Sequence, residues 1–177
     1  MLPSKLKRKR HKTGNGSSFV LQGLALVLGG MLLSSMMLGV AARVQRAEPP
    51  QLQLANWAKA LLICSGVGVG LVGIFPEDTI PGLHYLGAAL FFVAGSVAQF
   101  LLWQIWRGRS RTAWLLLVCG IISALATVIF TVFDLWLKTS GFAGGFFERL
   151  IVYPVVLGLS VIGFTVAKGI RAQRKIQ

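Results

Sequence analysis

Few residues in this chain could do chemistry. Glu77 and Asp78 stand in the stretch PEDTIPGLHY, with His84 near its end, and Asp134, Glu148 and Arg149 follow further along. A carboxylate beside an imidazole can act as an acid–base pair or offer two ligands to a metal. A guanidinium can hold a phosphate or carboxylate headgroup. Four of the five acids belong to this group, and so does the one histidine outside the N-terminal stretch. The metal signature is nonetheless thin, because zinc sites usually draw on several His or Cys ligands. Cys64 and Cys119 lie in apolar runs without metal-type neighbours at short spacing, so they read as small packing residues. No HExxH and no Ser–His–Asp spacing occurs. The same six residues also admit a structural reading. Glu77 or Asp78 would cap the helix that follows Pro81, His84 would bond a loop carbonyl, and Glu148 and Arg149 would pair across the loops. Whether a metal binds is left open, and no cofactor is expected.

Glycines supply a second candidate. Gly68, Gly70 and Gly73 spell GxGxxG, but a dinucleotide fingerprint needs a preceding strand and a βαβ unit. Here the letters fall in the middle of an apolar run. Gly66 and Gly70, with Gly73 on nearly the same face, read instead as a surface for close helix packing.

The elements that must position these residues follow from composition. At 55% hydrophobic and 13% charged, with a mean hydropathy of +0.72, the chain cannot cover a water-facing surface. Apolar runs at 18–42, 57–75, 84–106, 113–137 and 150–167 are long enough to cross hydrocarbon. Backbone groups there must be bonded internally, which requires helices, and the alternation of a membrane barrel is absent. The expected fold class is all-α: a polytopic transmembrane bundle of five apolar helices. A disordered basic tail over 1–17 should precede it and a short basic tail from 171 should follow. Pro49-Pro50 should mark a linker, SGFAGGF a turn before Glu148, and Pro154 the second turn of the last helix. Trp103 and Trp106, just ahead of Arg107, Arg109 and Arg111, suit an aromatic belt. Asp134 and Lys138 should pair at the boundary, and Gln22, Gln99 and Gln104 should bond between helices rather than line a conduction path.

Charge gives sidedness. With the C-terminus cytoplasmic in the cell membrane, Arg43, Arg46, Arg107, Arg109, Arg111 and the C-terminal basic residues all face inward, as insertion prefers. The loops holding Glu77 and Glu148 then share the outer face. Lys5 to Lys12 conflict with this. Either 18–42 is a re-entrant hairpin bent at Gly29-Gly30, or an extra span once preceded it. The net charge of +13 is spread in short clusters between and beyond apolar runs, which points to membrane lipid and away from nucleic acid.

The stretches GIFPEDTIPGLHYLGAALFF (73–92) and ERLIVYP (148–154) resemble the domain of unknown function 998 family, polytopic membrane proteins of bacteria and archaea. The resemblance covers about 16–170. It implies a bundle that usually has six spans, of which this chain lacks the first; it implies no activity. The expected function is therefore that of a non-catalytic multi-pass protein that binds lipid, a partner membrane protein or a second copy of itself. The alternatives are a membrane enzyme or lipid-handling protein using the outer polar cluster, and a small transporter.

Overall fold

Hydrocarbon offers a peptide group no hydrogen-bonding partner, so each apolar run closes its own bonds as a helix. The computed structural model of the chain describes residues 4–33, 49–108, 110–133 and 144–174. It contains α1 (Ser4–Leu32), α2 (Pro49–Ile74), α3 (Pro81–Trp106), α4 (Thr112–Thr131) and α5 (Gly144–Arg174). No strand occurs among the described residues. Segments of α2 to α5 (Leu52–Ile74, Pro81–Trp106, Thr112–Thr131 and Phe146–Arg171) are long and apolar enough to cross a membrane. The apolar part of α1, Gly16–Leu32, is shorter.

Helix boundaries depart from expectation at Pro49-Pro50 and at the Gly-rich stretch before Glu148. Pro49 and Pro50 are not a linker; they open α2. The first turn of a helix has no intrahelical use for its N–H groups, so proline costs nothing there and its fixed φ fits. Gly144 and Gly145 likewise open α5, which places Pro154 in the third turn instead of the second. The backbone of α1 is helical from Ser4 through the basic stretch. Lys and Arg are good helix formers, and a helix already nucleated in the apolar run extends cheaply. At the other end α5 carries on to Arg174, past the expected boundary at 170.

The helices pack in antiparallel neighbours. The main contacts join α1 to α2, α2 to α3, α3 to α4 and α4 to α5, with a lighter one between α3 and α5. Near one end, Ala55, Ala58, Leu62, Leu102, Trp106, Leu116 and Ile162 form a buried cluster. Near the other, Val69, Phe91, Phe92, Ala126, Ile151 and Val155 form a second. Trp106 is wholly buried, so it is a core residue and not part of a belt. The exposed indoles at that end belong to Trp57 and Trp114, while Trp103 carries the Arg107 guanidinium 5.6 Å above its ring. Gly108, at φ 78°, makes the tight turn from α3 to α4 in the left-handed region that a side chain disfavours.

Glycines set how closely the first three helices approach. A β-carbon at Gly23 of α1 would stand 2.7 Å from the Gly66 carbonyl oxygen and 2.8 Å from the Gly70 nitrogen of α2. Gly16 and Gly73 meet in the same way. On the opposite side of α2, Gly68 lies against Gly87 of α3, with 2.6 Å from its would-be β-carbon to the Gly87 oxygen. The GxGxxG letters therefore serve two helix contacts, one on each face. Gly30, packed against Ile63, continues the α1–α2 contact past Gly29. Helical backbone through Leu32 leaves no bend at Gly29-Gly30, so the hairpin reading of this run does not hold through that point.

Candidate functional site

The acidic stretch after α2 is wound on itself. The Pro76 carbonyl accepts hydrogen bonds from the Thr79 hydroxyl at 2.8 Å and the Thr79 N–H at 3.0 Å. Proline opens α3 and Ile80 holds the N-cap position, where it makes no side-chain cap. The Glu77 carboxylate accepts from the Tyr85 hydroxyl at 2.7 Å. His84 Nδ1 lies 3.0 Å from the Phe75 carbonyl oxygen, so Nδ1 carries a proton and donates it. Through this bond the first turn of α3 is tied back to the end of α2. The Tyr85 ring stands edge-on to the imidazole, with centroids 6.0 Å apart.

Helix direction puts the start of α5 at the same end of the bundle, since Ile151 and Val155 pack beside Val69 and Phe91. Glu77, Asp78, Glu148 and Arg149 are exposed there and His84 is half-buried. Asp134 and Lys138 lie outside the described residues, as do Arg43, Arg46 and Arg109. Among the described residues no group of three or more His, Cys, Asp or Glu side chains converges as a metal site would need. Tyr85, the partner of Glu77, was not singled out in the sequence. Its position eight residues on, in the first turns of the next helix, is the signal that could have found it.

Polar groups also meet inside the bundle. Ser96 donates to the Phe92 carbonyl at 2.7 Å and lies 2.9 Å from the Ser123 hydroxyl, which in turn is 3.2 Å from the Ile151 carbonyl. Two hydroxyl protons serve these three contacts, so one of the two serines shares its proton between a carbonyl and the other hydroxyl. Gln99 Nε2 donates to the Pro154 carbonyl at 3.1 Å. Its Oε1 is buried without a partner, and so is Gln22 Nε2. Cys119 is buried while Cys64 faces outward, so only Cys119 serves as a packing residue.

A groove of about 390 Å³ opens between α1 and α5, floored by Leu62 of α2. Gly29 and Leu33 line one wall, and Ile162, Gly163 and Ile170 the other. Among the described residues that line it, no side chain is polar. Sequence reading missed this feature, because its walls come from the first and last helices and no spacing rule relates them.

Comparison with curated proteins and with solved structures gives no match. A family model described as protein of unknown function (DUF998) matches residues 10–165, most of the chain and both stretches that carry the resemblance. The chain belongs to the DUF998 family of proteins of unknown function.

Proposed function

We propose that this chain is a non-catalytic integral membrane bundle that binds membrane lipid through its apolar surface and its basic end, with the C-terminal end of α5 on the cytoplasmic side. The observation that carries the reading is the direction of the side chains. Large apolar residues such as Leu24, Trp114, Leu125, Leu157 and Phe164 point away from the bundle on α1, α4 and α5, while Ser65, Ser96, Gln99 and Ser123 turn inward. Water would make that arrangement unstable; lipid makes it the low-energy one. At the acidic end the groups best suited to chemistry are committed to holding the loop. His84 spends its Nδ1 proton on the Phe75 carbonyl and Glu77 accepts from Tyr85.

The test is to replace Glu77, His84 and Arg149 singly by alanine in the detergent-solubilised protein. His84→Ala lowers the thermal midpoint by the equivalent of about 1 kcal/mol, the net worth of one hydrogen bond. Glu77→Ala and Arg149→Ala, at exposed positions, stay within about 0.5 kcal/mol. Copurifying lipid and bound metal, read by lipid mass analysis and elemental analysis, are the same in all three as in the parent. A variant that stays folded but loses a bound metal or a specific lipid would instead make the acidic end a working site.

A further inference from the structure

We infer that the groove between α1 and α5 is a seat for one acyl chain of an anionic phospholipid, with the headgroup held at the basic end by Arg171. The inference rests on the lipid-binding reading above and gives it a place and a chemistry. Three observations favour this occupant. First, among the described residues the groove is walled by apolar side chains and glycine, with no hydrogen-bonding side chain, which suits an occupant that is itself apolar along its length. Second, about 390 Å³ is too little for another helix, whose body with side chains is about 10–12 Å across; a flexible hydrocarbon chain fits. Third, the lining on α5 runs Leu159, Ile162, Gly163, Val166, Ala167 and Ile170, and the exposed Arg171 follows one helical step (i, i+4) after Ala167. The exposed Lys168 adds charge at the same end. A chain lying in the groove would thus bring its phosphate to a guanidinium able to bond it through two N–H groups, as basic pockets between spans do for anionic headgroups.

Glycine on both walls keeps the groove open. A β-carbon at Gly29 or at Gly163 would meet no atom within 4 Å, so larger side chains there fill the space without a clash and raise helix propensity. This provides the experiment. The full chain is purified in detergent, stripped of lipid, and titrated with phosphatidylglycerol or with phosphatidylcholine of the same acyl chains. Thermal midpoint and native mass are recorded. The parent protein is expected to take up one phosphatidylglycerol and rise in midpoint by about 3 °C or more at saturation. Gly29→Leu with Gly163→Leu should fold with an equal or higher midpoint in the absence of lipid and lose both the bound mass and the shift. Arg171→Gln should keep the groove but reduce the preference for phosphatidylglycerol over phosphatidylcholine about fivefold.

If the filled variant binds phosphatidylglycerol as the parent does, the groove is not the seat, although the lipid-binding reading survives. If the parent binds neither lipid, both fall together. Loss of a dimer without loss of lipid in the filled variant would mean that a second copy occupies the groove, which overturns the proposal. An unchanged preference in Arg171→Gln would overturn the headgroup assignment even if the filled variant proved too unstable to purify.

Discussion

A buried primary amide has more hydrogen-bonding positions than an apolar bundle can easily serve. Gln99 is wholly buried, donates from Nε2 to the Pro154 carbonyl, and leaves Oε1 without a partner. Gly158 makes the bond possible, since a β-carbon there would lie 3.0 Å from Nε2 and 3.1 Å from the amide carbon. Gly158→Ala is therefore expected to push the amide away from Pro154 and cost about 1–3 kcal/mol. Gln99→Leu should cost less than about 1 kcal/mol. It gives up one interhelical bond, worth about 0.6 kcal/mol in a membrane protein, and removes an orphaned oxygen as well. In a Gln99→Ala background the Gly158→Ala substitution should become nearly free. A double-mutant cycle read by unfolding in detergent measures this coupling, and additive costs would show that the two residues do not act on each other. The sequence makes Gln99 legible as a polar residue bonding between helices. It does not make the partner legible, because Pro154 and Gly158 lie on a helix whose rotation is fixed only by tertiary packing. The same holds at the acidic end. Glu77 and His84 stand out by type, but their local partners, Tyr85 and the Phe75 carbonyl, emerge only when the loop closes.

At the scale of elements, the α1–α2 contact is made by backbone against backbone, and a methyl group has nowhere to go. Gly23 faces Gly66 and Gly70, and Gly66 faces the Gly23 oxygen at 2.9 Å from its would-be β-carbon. Gly70 contributes its main chain to that contact, yet its own β-carbon would point into open space. The expected signs therefore differ within one motif. Gly23→Ala and Gly66→Ala should each destabilise by about 1–3 kcal/mol through overpacking. Gly70→Ala should be neutral or stabilise by up to about 1 kcal/mol, since alanine loses less backbone freedom in a helix. Thermal midpoints of the three single variants in one detergent decide the matter, and equal losses at all three would mean that the helices do not cross here. A run of glycines in an apolar stretch announces close approach; which glycine faces which neighbour depends on how far each helix turns. Helix starts were misread for a related reason. Pro49 and Gly144 break a helix interior, but in a first turn they break nothing, and letters alone do not say where the first turn lies.

Over the whole molecule, the solvent was readable from composition, and with it the all-helical bundle. Sidedness is where charge and connectivity disagree. Gly16 of α1 lies beside Gly73 at the end of α2, so α1 begins at the end of the bundle that carries the 76–80 loop and the start of α5. Arg107, Lys168 and Arg171 lie at the opposite end. The basic stretch from Lys5 to Lys12 precedes α1's apolar part and therefore opposes the charge at that end. Its six lysines and arginines compete with Arg107, Arg111 and the basic end of α5 for the side that insertion favours. We expect the latter to prevail, because they flank three spans while the N-terminal stretch flanks one. Single cysteines at Thr79, Phe146, Arg107 and Arg171, all exposed positions, in a background with Cys64→Ala and Cys119→Ala, report this with a membrane-impermeant maleimide. The cysteines at 79 and 146 should react from outside intact cells, and those at 107 and 171 only after the membrane is opened. A cysteine at Ser17 should react with the outer pair, because Gly16 packs beside Gly73 at that end of the bundle; reaction with the inner pair would mean that α1 does not lie along α2 in the membrane. Labelling of 79 and 146 from opposite faces would separate the two loops that hold Glu77 and Glu148, and the bundle described above could not then be the one in the membrane.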